Sequence, residues 1–184
     1  MTTPYAAACA AIDRANAEDP QGRELAYGTR MAAWVERLAA TASEELRLAA
    51  RAQHLRRWSV PRAEFPEGRT GYLAWRERLK KLHAETAASI LKEAGYAEAS
   101  IAKVRGLIQR KEKAADPEGQ VLEDAACLVF LETELVPFAA KTEEGKLVDI
   151  LRKSWGKMSA AGREAALKLP FGERERALLQ KALG

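Results

Sequence analysis

The sequence is short of everything that would staple, break or anchor a chain. Its two cysteines, Cys9 and Cys127, are too few for a disulfide framework and form no Cys-x-x-Cys or Cys/His cluster, so they read as buried free thiols. Twelve glycines and seven prolines leave few breaks in 184 residues. β-Branched and aromatic residues never alternate over a strand's length, which excludes a sheet-rich fold. No run approaches the roughly 18 consecutive apolar residues that span a bilayer, and Met-Thr-Thr-Pro does not open a charged region followed by a long apolar one. No membrane contact and a cytoplasmic location are therefore expected. Only two histidines, His54 and His83, are available for acid–base or metal chemistry.

What the chain has in abundance is Ala, Leu, Glu, Arg and Lys, the strongest helix formers. With 47% apolar and 30% charged residues it is expected to fold as one all-α bundle over residues 1–184, long enough to bury a core without staples. The net charge of +4 permits an anionic ligand without demanding nucleic acid, whose dedicated binders carry a denser basic face.

Local signals divide the chain into helices. Thr3-Pro4 opens one that runs to about Asn16 and stops at the turn Asp19-Pro20-Gln21-Gly22. A second covers Arg23 to about Ala40. Thr41 and Glu44 have the spacing of a capping box and open a third, expected to end near Trp58. Residues 59–68, with Pro61, Pro66 and Gly68, form a long connection of the kind that carries function. Further helices are expected over about Arg69–Ala94, Ala97–Lys111 and from Asp116-Pro117 onward, the last apolar all round between Ala125 and Leu131 and so buried. Short helices over about Thr142–Trp155, Ser159–Leu169 and Gly172–Leu183 complete a C-terminal cap.

Tyr27, His54, His83 and Asp124 stand where packing alone would not put them. An Asp on an apolar helix needs a partner, because an unpaired buried carboxylate is costly. His54, His83 and Asp124 have the chemistry of a three-ligand site for one divalent ion, Zn, Mn or Fe, with open positions for water. The alternative is that both histidines are hydrogen-bonded within the fold and Asp124 merely belongs to its helix. Around His54 the chain reads Gln53-His54-Leu55-Arg56-Arg57-Trp58, then Arg62, Arg69, Tyr72, Trp75 and Arg76. Arg69, Tyr72, Arg76 and His83 recur at spacings of three, four and seven, on one helical face. Guanidinium groups take phosphate or carboxylate bidentately, and aromatics beside them suit a planar ring. We therefore expect Arg56, Arg57, Trp58, Arg62, Arg69, Tyr72, Trp75 and Arg76 to bind an anionic small molecule.

Tyr27-Gly28-Thr29-Arg30-Met31, Ala49-Ala50-Arg51-Ala52-Gln53-His54-Leu55, His83-Ala84-Glu85 and Glu123-Asp124-Ala125-Ala126-Cys127-Leu128 resemble, in order and spacing, the four motif segments of the HD superfamily of metal-dependent phosphohydrolases. The resemblance spans about residues 23–135, leaving a cap at about 142–184. It implies an HD-like bundle and a catalytic group of Tyr27, His54, His83 and Asp124. Tyr27 stands where the family has a metal-binding His, and Leu55 where it has the Asp of the His-Asp pair. Nearly the whole chain, through Gln-His-Leu-Arg-Arg-Trp and Glu-Asp-x-Ala-Cys-Leu-Val-Phe-Leu-Glu, also resembles a family of conserved domains of unknown function. Some of its members carry a glutamyl-tRNA synthetase label. Lys157-Met158-Ser159 resembles half of a synthetase Lys-Met-Ser-Lys-Ser loop, but Ser159 reads better as a helix N-cap.

Two functions follow. One is a hydrolase of HD-like type, or its descendant, acting on a phosphorylated or nucleotide-like molecule. The other is a non-enzymatic binding or sensor module whose basic face meets nucleic acid or an acidic protein.

Overall fold

The computed structural model describes residues 2–110 and 116–183, in which there are ten α-helices and no strand. Lys111, where the fifth helix was expected to end, lies outside the described residues. No described helix is long and apolar enough to cross a membrane. The chain divides into two compact units, Met1–Gly119 and Gln120–Gly184.

The first unit contains α1 (Pro4–Ala17), α2 (Arg23–Leu38), α3 (Glu44–Arg51), α4 (Gly68–Glu93) and α5 (Glu98–Gln109). Thr3 caps α1 as expected, accepting from the Ala6 N–H. α3 is capped by Ser43, two residues beyond the expected Thr41, because the Ser43 hydroxyl accepts from the Leu46 N–H. α3 packs on α1, α2 and α5, and α4 lies mainly along α5. Leu46, Leu48, Ala49 and Ala50 of α3 are fully buried with Met31, Val35, Ala84, Ala87 and Leu91. Small residues let these helices approach closely. A Cβ on Gly28 would lie 2.6 Å from the Arg51 carbonyl oxygen, so α2 crosses the end of α3 with room only for hydrogen.

α3 stops at Arg51, seven residues before the expected Trp58. The Arg51 carbonyl accepts from the Asn16 side chain and the Leu55 carbonyl from His83, instead of from N–H groups four residues on. Residues 52–56 therefore turn, Arg56 takes a left-handed conformation (φ 57°), and two 3₁₀ turns follow at Arg57–Ser59 and Arg62–Glu64. The connection to α4 is a folded cap. Val60, Trp75 and Leu79 form its core with Phe65 and Leu82, and the Trp75 indole donates to the Val60 carbonyl at 2.9 Å. At the far end of α4, Gly95 (φ 87°) allows the Tyr96 N–H to return to the Leu91 carbonyl, closing the helix.

The boundary between units falls within α6 (Pro117–Val129). The second unit continues through one π-turn (Phe130–Glu134), α7 (Leu135–Ala139), α8 (Glu144–Lys157), α9 (Ala160–Leu167) and α10 (Glu173–Leu183), with α8 packed on α10. Leu122, Leu128, Leu135, Leu147 and Leu151 are its largest fully buried side chains. Neither cysteine is in a disulfide among the described residues. Cys127 is buried as expected, whereas Cys9 is only half-buried.

Candidate functional site

α2, the turn after α3, and α4 bring four polar side chains of the first unit together. Asp19 accepts from the backbone N–H groups of Gln21, Arg23 and Glu24, which fixes the start of α2. In the first turn of that helix Glu24 is buried, and Tyr27 follows at i+3 on the same side. The tight Gly28 crossing sets this side of α2 against the turn that carries His54. There the His54 Nδ1–H donates to Glu24 Oε2 at 3.0 Å, and the ring lies flat on Tyr27, centroids 3.6 Å apart and planes inclined by 5°. His83 of α4 is 4% exposed and its Nδ1 donates to the Leu55 carbonyl at 2.7 Å. The two imidazole centroids are 6.1 Å apart.

These bonds set the tautomers. Carbonyl and carboxylate oxygens accept, so each Nδ1 carries hydrogen and each neutral ring keeps its lone pair on Nε2. Burial, followed by the positive charges of Arg57, Arg110 and Arg76, holds His54 well below the usual imidazole range. Burial and then His54 push His83 down to about 4. Burial pushes the Glu24 carboxyl above its ordinary value, with Arg57 the largest opposing influence. Burial thus favours the neutral form of both imidazoles, with hydrogen on Nδ1 and the lone pair on Nε2.

Arg57 is the cation common to all three groups, lowering each of their pKa values. Its guanidinium lies over the Trp75 ring, 5.0 Å from the centroid. Neither Arg57 nor Arg76 is in ion-pair contact with a carboxylate among the described residues. Arg76 lies 5.8 Å from the ring centroid of Tyr72, which is 42% exposed, and donates to its hydroxyl at 3.4 Å. Arg69 is exposed on the preceding turn of α4.

Other residues expected in the pocket serve the fold. Arg62 donates to the carbonyls of Phe65 and Pro66, both at 2.9 Å, and so clamps the turn before α4. Trp75 is buried core, Trp58 is half-buried in its 3₁₀ turn, and Arg56 points outward to Glu18 at 3.3 Å. Glu24 was not singled out in the sequence, where an acidic residue in a helix's first turn looks like ordinary compensation of the helix dipole.

Asp124 belongs to the second unit and is spent there. One carboxylate oxygen accepts from the Ser159 N–H at 2.8 Å and from the Gln120 side chain at 3.0 Å, and the other accepts from the Ser159 hydroxyl. The same hydroxyl accepts from the Gly162 N–H, making Ser159 the N-cap of α9, and a Cβ on Gly162 would meet the Asp124 carboxyl carbon at 2.6 Å. Lys157-Met158-Ser159 is thus a helix joint, as the N-cap reading requires. Among the described residues no group of three or more His, Cys, Asp or Glu is arranged to hold a metal ion. The requirement of Asp124 for polar partners is met by a cap.

Neither the curated proteins nor the solved structures contain a match to the chain. A family model described as a domain of unknown function (DUF4202) matches residues 6–179, and the chain belongs to that family.

Proposed function

We propose that the first unit binds a phosphorylated small molecule and performs metal-free acid–base chemistry on it, with Arg57 as the anion-binding residue and His54 and His83 as proton carriers. One observation carries this reading: an imidazole is fixed at Nδ1 by a buried carboxylate, lies flat on Tyr27, and stands beside a second oriented imidazole within the field of the Arg57 guanidinium. A neutral histidine oriented by a carboxylate is a poised general base. Guanidinium groups recognise phosphate with two parallel hydrogen bonds. The resemblance to phosphohydrolases points to the same ligand class, whereas Tyr27 and Leu55 remove two of that superfamily's ligands. Leu55 is instead buried core, and its carbonyl orients His83.

A thermal-shift screen of nucleotides and phosphorylated metabolites tests the proposal, since a ligand bound only by the native state raises the melting temperature. A hit lost in Arg57→Gln and unaffected by a chelator supports it. No hit, or one that requires divalent metal, overturns it.

A second reading rests on α4 alone. Arg69 and Arg76 are exposed and have no acidic partner among the described residues, with Tyr72 and Leu73 exposed beside them on the same side of α4. This surface suits an extended polyanion such as nucleic acid. Binding that weakens linearly on a log–log salt plot, and is lost when these cations but not His54 are replaced, would favour it.

A further inference from the structure

The positive charge of the chain is not spread evenly. Residues 56–81 hold eight Arg and Lys side chains against three Glu, a surplus of five in a chain whose net charge is +4, so the remainder is slightly acidic. The surplus lies on the turns after α3 and the first half of α4. Over residues 68–81 only Gly71, Trp75 and Leu79 are buried, a single line at i, i+4 and i+8; Lys80 is half-buried and every other residue is exposed. That line is already occupied. Val60 and Phe65 pack with Trp75 and Leu79, and a Cβ on Gly71 would lie 1.9 Å from the Pro66 carbonyl oxygen.

Beside the buried line Arg69, Tyr72, Arg76 and Lys80 follow one another at spacings of three, four and four, a row about 16 Å long. Lys80 is paired with Glu77. Tyr72 is braced within this row. Its ring lies 6.0 Å from that of Trp75, inclined by 45°, and Arg76 donates to its hydroxyl at 3.4 Å while sitting 5.8 Å from its centroid. The ring is still 42% exposed, with Leu73 exposed next to it. A ring already held in place loses little freedom when a flat partner stacks on it.

We infer that this face of α4 binds single-stranded nucleic acid, with an unpaired base stacked on Tyr72 and the phosphate backbone running along Arg69 and Arg76. The inference rests on the polyanion reading of this surface and goes beyond it by fixing the strandedness of the partner and the residue that senses it. Charge selects a polyanion: three glutamates cannot neutralise eight cations, even with Glu18 paired to Arg56. The ring selects unpaired bases. Bases in a duplex stack on one another and offer no open face, whereas a single strand presents one at every nucleotide. An anionic membrane suits the row less well. The buried line of α4 is spent on Val60 and Phe65, so Tyr72 and Leu73 are the large apolar side chains exposed on this helix, and they form no stripe to enter an acyl layer.

Fluorescence anisotropy with labelled oligo(dT) and oligo(U) of about 12 nucleotides tests the inference. The chain should bind at least one of them, with affinity falling linearly on a log–log salt plot between about 50 and 200 mM, and should bind a duplex of the same length more weakly. Tyr72→Ala should weaken single-strand binding about 5- to 150-fold and Tyr72→Phe should keep it. An oligomer of abasic sites, which retains the phosphates, should bind the parent and Tyr72→Ala equally weakly. Replacing Arg69 and Arg76 together by Gln should weaken every oligomer and flatten the salt slope. Single-strand binding that is lost with these arginines but indifferent to Tyr72→Ala, or a duplex bound as tightly as a single strand, would overturn this inference and leave the polyanion reading standing. No binding of any oligomer, including the case in which only phosphatidylserine vesicles are bound, would overturn both. If Tyr72→Ala does not fold, the parent decides: equal affinity for oligo(dT) and its abasic counterpart overturns the stacking role of Tyr72.

Discussion

Glu24 and Asp124 are both buried carboxylates on helices, one in each compact unit, and they are used in opposite ways. The Ser159 N–H, the Ser159 hydroxyl and the Gln120 amide occupy the two oxygens of Asp124 and tie it to the start of α9. Glu24 has an imidazole as its side-chain partner, and that imidazole has a further nitrogen. Burial therefore does not by itself make a carboxylate functional. What separates the two is whether the partner's chemistry stops at the contact or can continue to a third molecule.

The largest expected effect lies on the structural side. Asp124→Ala leaves both Ser159 donors without this acceptor, removes one of the two acceptors of the Gln120 amide, and should cost about 2–4 kcal/mol, read as a shifted urea midpoint. A variant as stable as the parent would break the contrast.

Acid should expose the other side. His83 is held at about 4 when folded, against 6.5 ordinarily. Its stabilising contribution is complete above 6.5 and is lost as pH falls from there to about 4, because the unfolded chain takes up the proton first. The whole span is worth up to about 3 kcal/mol. The depressed His54 acts in the same direction. Glu24, pushed up, acts in the opposite direction: its contribution is present at low pH and is lost as pH rises through its raised value, which makes the net slope shallower. Denaturation at pH 7 and pH 4.5 checks the sign, and stability that rises on acidification would contradict it.

Two substitutions sharpen the comparison within the first unit. Gly28→Ala drives a methyl into the Arg51 carbonyl and should cost about 1–3 kcal/mol while moving Glu24 and Tyr27 away from His54. Glu24→Gln preserves shape and removes charge, so turnover of the phosphorylated ligand should fall about 10- to 100-fold. Turnover equal to the parent's would reduce Glu24 to the standing of Asp124. The smallest effect belongs to Tyr72→Ala, which should change stability by less than about 0.5 kcal/mol because the ring is largely exposed.

The helical class, the Thr3 and Ser159 caps, the end of α4 near Ala94 and the buried run through Ala125 and Leu128 were legible in the sequence. They rest on propensity, periodicity and contacts only a few residues apart. Two histidines amid arginines and aromatics stand out by chemistry, and the structure sets their rings 6.1 Å apart. Glu24 was not legible, because nothing local distinguishes a first-turn glutamate that faces water from one that faces an imidazole. Arg62 misled for the complementary reason: a guanidinium that binds backbone carbonyls has the same sequence signature as one awaiting an anion.

The sequence by itself thus determined which segments are helical and which residue types are available for chemistry. Tertiary structure alone decided where α3 ends, that Asp124 holds the Ser159 cap of α9, and that Glu24 is the partner of His54. The reason is range. Caps and periodicity act over three or four residues, whereas the carbonyls of Arg51 and Leu55 were drawn from the helix ladder by Asn16 and His83, 35 and 28 positions away in the chain.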